Sequence, residues 1–150
     1  MASWTVIAVT DLERYLVAPQ LDAIRTAALA DGQSDPWTET MHDRANYVRN
    51  RIAGRVQLSA TPYAVPPELV HQTALLIIEA MQGRIPMLEL SEDQRRMIGR
   101  AYDDLKLAGT TDFPISAADD AAPAEVQPAG GLTVVSKSAR EWSRDSMSGL

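Results

Sequence analysis

Residues 66–86 read PPELVHQTALLIIEAMQGRIP, an apolar run bracketed by prolines, and this run limits what the rest of the chain can be. The paired prolines suit a helix start, because the ring presets φ and the N–H groups of a first turn have no intrahelical acceptor. Gly83 is placed to cap the far end, and Pro86 bars continuation. Between them Leu69, Val70, Ala74, Leu75, Leu76, Ile77, Ile78, Ala80 and Met81 leave only a narrow polar stripe of Glu68, His71, Gln72, Glu79 and Gln82. A helix this apolar has to be covered on most of its circumference. It is also shorter and more interrupted than the about 20 apolar residues of a membrane span. The run therefore reads as the central helix of a soluble helical domain.

The flanks supply the cover. Residues 2–9 (ASWTVIAV) are β-branched and carry an exposed-looking Trp4, which predicts an extended N-terminal arm. Thr10-Asp11-Leu12-Glu13 has the form of a capping box and predicts a short helix from Asp11 to about Val17. Pro19 opens a second helix over residues 20–30, with Leu21, Ile24 and Ala28 inward and Gly32 ending it. Ser34-Asp35-Pro36 starts a third, whose inward face is Trp37, Met41, Ala45, Val48 and Ile52, ending at Gly54. Residues 56–65, with Thr61-Pro62 and Val65-Pro66, form a loop, since a residue before proline is pushed toward extended backbone. After the central helix and the connector 85–90, Ser91-Glu92-Asp93-Gln94 is a second capping box. It opens a helix with Met97, Ile98, Ala101, Tyr102, Leu105 and Ala108 on one face and Gly109 at its end. The expected fold class is all-α: a small bundle of four to five helices around a central apolar helix.

The remainder has another character. Residues 110–128 read TTDFPISAADDAAPAEVQP, without periodicity and rich in Ala, Pro and Asp, the composition of a linker. Gly130-Gly131 precedes Leu132-Thr133-Val134-Val135, a short strand candidate, and KSAREWSRDSMSGL closes the chain. The expected organisation is a helical domain over 1–109, an acidic linker over 110–130 and a docking tail over 131–150. Of the net charge of −6, residues 1–109 carry −3, residues 110–136 carry −4 and residues 137–150 carry +1. A dedicated nucleic-acid binder would need the opposite balance. The absence of cysteine excludes disulfides, thiolate metal sites and thiol nucleophiles and fits a reducing compartment. No basic-then-apolar leader opens the chain, so the expected site of synthesis and residence is a cytoplasm.

Catalytic patterns are sparse. His71 lies near Glu68 and Gln72, the neighbourhood of a carboxylate-oriented base, but a hydrogen-bonded boundary histidine explains it as well. His42, beside Asp43, reads as a surface residue. There is no HExxH and no glycine-rich phosphate loop, and Asp103-Asp104 and Asp119-Asp120 are adjacent rather than facing pairs. The expectation is a non-enzyme with no catalytic, cofactor-binding or metal residues. Arg44, Arg49, Arg51 and Arg55 admit three roles: a phosphate-contacting face, a solvated face balanced by Glu39 and Asp43, or inter-subunit ion pairs. With one phenylalanine in the chain, three tryptophans are a large aromatic share, and Trp4 and Trp142 lie near opposite ends. Trp and Arg dominate binding hot spots, and Arg140 and Arg144 flank Trp142, so the two ends read as interface anchors, the alternative being that both arms fold back onto their own domain.

Together, the leading aromatic and short arm, the box at Thr10-Asp11-Leu12, the arginine-bearing helix, Val65-Pro66 and a central helix followed by Arg84 resemble the small head-tail connector proteins of tailed bacteriophages. The ending carried by Arg140, Trp142, Ser143, Arg144, Asp145, Met147 and Gly149 is similar to the C-terminus of the Mu-like phage and prophage version. Residues 51–55 (RIAGR) depart from the R-Y-x-x-P-like segment common there. The resemblance implies a virion neck protein, a cyclic homo-oligomeric ring of about twelve subunits closed by head-to-tail contacts. It would dock beneath the portal protein, meet a neck or tail-completion protein, and let DNA pass without sequence-specific binding. Its interface residues would include Trp4, Arg140, Trp142, Arg144, Asp145 and Met147. The alternative from another class is a small helical DNA-binding or regulatory partner-binding module, suggested by the arginine faces.

Overall fold

The computed structural model of the chain describes residues 3–27 and 36–121. Among these are five α-helices: α1 Val9–Glu13, α2 Ala18–Thr26, α3 Pro36–Ile52, α4 Val70–Arg84 and α5 Glu92–Ala108. The only β-type pairings among the described residues are the isolated antiparallel bridges Thr5 to Val65 and Ser59 to Ala121. None of the helices is long and apolar enough to cross a membrane.

α4 is the centre. Residues 72–78 are all buried, because α3 and α5 pack along it and α1 crosses it. From α3 it receives Ala45, Val48 and Ile52; from α5 come Ile98, Ala101, Leu105 and Ala108. All seven lie on the faces that the sequence periodicity assigns inward. The two prolines do not open the α-helix directly. They set a 3-10 turn, Pro67–Leu69, and α4 begins at Val70. Gly83 lies inside the helix rather than capping it. The helix ends one residue later, where Ile85 is extended (φ −119°, ψ 92°), as the residue before Pro86 must avoid the helical region.

Starts and ends differ elsewhere too. α1 begins at Val9, two residues ahead of the expected start, because Asp11 rather than Glu13 reaches back, its Oδ2 accepting from Ala8 N–H at 3.0 Å. α2 ends at Thr26 where Ala27 turns extended (ψ 98°), so the expected helix over 20–30 is cut short; Ala28 and Gly32 lie outside the described residues. The capping box of α5 forms as expected: Ser91 Oγ accepts from Gln94 N–H (3.2 Å) and Gln94 Oε1 from Ser91 N–H (2.8 Å). At the other end Gly109 lies in close approach to a neighbouring segment, since a Cβ there would stand 3.3 Å from the Arg51 carbonyl oxygen.

Two segments expected to stand off the body lie on it. In the N-terminal arm, Thr5 and Val65 exchange both backbone hydrogen bonds at 2.9 Å, and Trp4 and Ile7 are buried. The first part of the expected linker, residues 110–121, runs back over the domain, with Ala118 buried and Phe113 and Ile115 packed on the core. Non-helical residues beyond α5 thus contribute to the packed body. The rest of the linker, the strand candidate at 132–135 and the tail lie outside the described residues.

Candidate functional site

The expected interface residues fall into three groups. Arg140, Trp142, Arg144, Asp145 and Met147 lie outside the described residues. Trp4 is 7% exposed, which corrects the expectation of an exposed anchor. Its Nε1 donates to the Ser116 carbonyl at 3.1 Å, and the Arg49 guanidinium lies 5.9 Å from its ring centroid. The indole is therefore occupied inside its own domain: one edge is hydrogen-bonded and one face meets a cation.

The four arginines separate. Arg49 is a clamp within the chain, not a free cation for a neighbouring subunit. Its Nη1 donates to the carbonyls of Ala64 (2.7 Å) and Thr61 (3.2 Å), and its Nη2 to that of Ser59 (2.9 Å). A planar fork of N–H donors suits three convergent carbonyls. Burial pushes the guanidinium below the usual arginine value, and the Asp120 charge opposes that shift. Arg55 is also turned inward, capping α5 by donating to the Ala108 carbonyl at 3.0 Å and to that of Thr111 at 3.4 Å. Arg51 is exposed, and Arg44 is half-buried at the wall of a cleft.

That cleft, about 550 Å³, opens between α3 and α4 and is lined by Thr40, Asp43, Arg44, Tyr47, Glu79, Ala80, Gly83 and Arg84. Both charge signs are present. Arg84 pairs with Glu39 at 3.2 Å, and Glu79 Oε2 accepts from Tyr102 Oη at 2.6 Å. Burial, then the hydrogen bond to Glu79, pushes the Tyr102 phenol up to about 12. A phenol held that firmly protonated is a structural donor, not a base at neutral pH.

Polar side chains converge most densely around the loop 59–65. Asp120 Oδ2 accepts from Ser59 Oγ (2.8 Å), Thr61 Oγ1 (2.8 Å) and Thr61 N–H (3.3 Å). These bonds hold its carboxyl below the usual range. Tyr63, at φ 61°, stacks on His42 with ring centroids 3.7 Å apart and planes within 6°. His42 is thus a stacking partner rather than a plain surface residue. A left-handed tyrosine costs on the order of 1–2 kcal/mol, which the stack and the Arg49 clamp offset. His71 is exposed with its ring 5.1 Å from that of Tyr15. Sequence reasoning missed Ser116, Asp120 and the clamp role of Arg49. The only local signal was the Ser59/Thr61 pair in a loop ending at proline, chemistry that favours side-chain bonds to backbone.

The fold and this chemistry define a helical domain whose polar side chains mainly fasten backbone segments to one another. Comparison of the chain with protein-family models, with curated proteins and with solved structures gives no match.

Proposed function

We propose that this chain is a structural, non-enzymatic virion protein: a head-tail connector subunit that forms a ring between the portal and the neck or tail components and extends the DNA channel. Assembly would take place in the cytoplasm of a bacterial host. The observation that carries the reading is the C-terminal segment Arg140-x-Trp142-Ser143-Arg144-Asp145-x-Met147-x-Gly149, with its likeness to the ending of the Mu-like connector proteins. An apolar central helix wrapped by amphipathic ones is compatible with it, as is the use of Arg49, Arg55, Tyr102 and Asp120 as internal fasteners. An acidic protein repeated around a channel repels DNA rather than gripping it, which suits a conduit.

Removal of residues 137–150 tests this. The truncated chain should keep its helical circular-dichroism spectrum and fail to enter particles, and infectious particles assembled normally on it would rule the reading out. Native mass measurement, alone and with portal and neck components, should show a ring only in the mixture or at high concentration. One observation favours the second reading, a small DNA-binding or regulatory module: Arg95, Arg96 and Arg100 are exposed together on α5. Arg96 is drawn into pairs with Glu92 and Asp93, which weakens it as a phosphate contact. Salt-dependent binding of duplex DNA by the isolated protein would favour the module over the connector.

A further inference from the structure

Residues 110–121 leave α5 through a fully exposed turn at Thr110, Thr111 and Asp112 and return across the body. Their attachment combines hydrogen bonds with the partly buried side chains of Phe113, Ile115 and Ala121. Ser116 donates from both N–H and Oγ to Glu68 Oε1, and its carbonyl accepts from Trp4 Nε1. Asp120 is held by Ser59 and Thr61, and its carbonyl accepts from Ala60 N–H at 3.2 Å. Ala118, a single methyl group, is the only residue of this stretch that is buried. On the seat, Glu68 Oε1 takes both of these Ser116 bonds, while Glu68 Oε2 is buried without a hydrogen-bond partner among the described residues. A stretch with a single buried residue, joined to the body through an exposed turn, opens before the domain as a whole.

We propose that residues 113–121 are an exchangeable strap, which lifts from the seat on its own chain and occupies the same seat, formed by Trp4, Ser59, Thr61 and Glu68, on a second copy of this protein. Each bond described above is recovered in the exchanged form, and only the hinge at 110–112 changes shape. Exchange of an identical element between copies is a low-cost route to association for that reason. The hinge side chains are exposed, so straightening it uncovers no core. The connector reading is not required, because the exchange can be scored on the purified protein alone.

The cysteine-free chain makes the test direct. Ser59 and Ala121 face each other across an antiparallel bridge, so Ser59→Cys and Ala121→Cys place two thiols within disulfide range when the strap is seated. Asp120 keeps both of its bonds to Thr61 when Ser59 is replaced. Two full-length preparations, one carrying each substitution, are mixed at high concentration, equilibrated and oxidised, and the disulfides are read by mass spectrometry. Exchange makes the mixed disulfide exceed each symmetric one by roughly ten-fold, because the seated pair is held at high effective concentration. Statistical proportions would overturn the proposal. A chain carrying both cysteines should close within itself when dilute and between copies when concentrated; closure within the chain at every concentration, or no closure, counts equally against it. Independently of cysteine, deleting Thr111 and Asp112 puts the home seat out of reach and should raise the dimer fraction in sedimentation several-fold. An unchanged monomer would contradict the exchange.

Discussion

The carboxamides of Gln20 and Gln94 form a reciprocal pair: each Nε2 donates to the other's Oε1, at 2.9 and 3.0 Å. Their remaining groups are also used. Gln20 Nε2 donates to the Glu89 carbonyl and Gln94 Nε2 to that of Tyr15, while the oxygens accept from Val17 N–H and Ser91 N–H. Both residues are buried, so two amides join the starts of α2 and α5, the α1–α2 turn and the α4–α5 connector with every donor and acceptor satisfied. Replacing Gln94 with Leu removes one of the two partners of each Gln20 amide group and leaves the Tyr15 carbonyl and Ser91 N–H without theirs, at an expected cost of about 2–4 kcal/mol. Gln20→Leu together with Gln94→Leu should cost clearly less than the sum of the single changes. Additive losses in urea unfolding would mean that the pair does not act as a unit.

Arg49→Lys keeps the charge and loses the fork. A lysine cannot serve three carbonyls placed around a plane, so a loss of about 1.5–3 kcal/mol is expected, with a change in tryptophan fluorescence as the planar guanidinium over the Trp4 ring is replaced by an ammonium. Arg51→Lys, at an exposed position on the same helix, should fall within about 0.5 kcal/mol of the parent. Equal effects of the two would show that the clamp contributes little.

Tyr102 should ionise near pH 12 in a spectrophotometric titration. The sign for stability follows. With the folded pKa above the unfolded value of about 10, the contribution is complete below that value and is lost as pH rises toward 12. Glu79→Gln removes the charge that helps hold the phenol proton and should bring the Tyr102 ionisation down.

On the acid side Asp120 acts in the opposite direction. Its folded pKa is lowered, so its contribution is present above the ordinary carboxyl range and disappears as pH falls through the depressed value. Asp120→Asn should flatten that limb of the stability profile, and amide exchange at Ala60 and Thr61 should quicken in the variant even at neutral pH. An unaltered acid limb would indicate that other carboxylates dominate it.

Two glycines should respond in opposite ways. Gly99 lies within α5 with nothing within 4 Å of where a Cβ would stand, so Gly99→Ala should stabilise the protein by about 0.5–1 kcal/mol. Gly109→Ala pushes a methyl against the Arg51 carbonyl and should destabilise it. Thermal unfolding separates the two outcomes directly.

What could be read from the sequence was local. The box at Ser91 and Gln94 spans one turn, and the inward faces of α3 and α5 follow from spacing alone, so both survive in the structure. The start of α1 differs from the expected one because Asp11 competes with Glu13 for the same role, and no pattern ranks two carboxylates two residues apart. The linker composition of 110–121 is that of a solvated chain. Asp120 nonetheless finds hydroxyls 59 and 61 residues away, and Trp4 finds a carbonyl at Ser116. Bonds between polar groups at such separations leave no periodicity to read. The arginines illustrate the same point, since Arg49 and Arg51 on α3 and Arg55 just beyond it end as a carbonyl clamp, an exposed charge and a helix cap.

Trp4 and Ser116 are 112 positions apart and bonded, which has a consequence for the order of folding. During synthesis the first residues emerge long before their partner, so the N-terminal segment must wait, its indole unpaired, until α5 and the stretch beyond it have left the ribosome. Helical contacts within α3, α4 and α5 can form early because they are close along the chain, whereas joining the two ends requires closing nearly the whole described chain into one loop. The late step of folding should therefore be the arrival of residues 113–121 over Trp4. A pulse-labelled chain stopped before residue 110 should present a helical body with an accessible tryptophan.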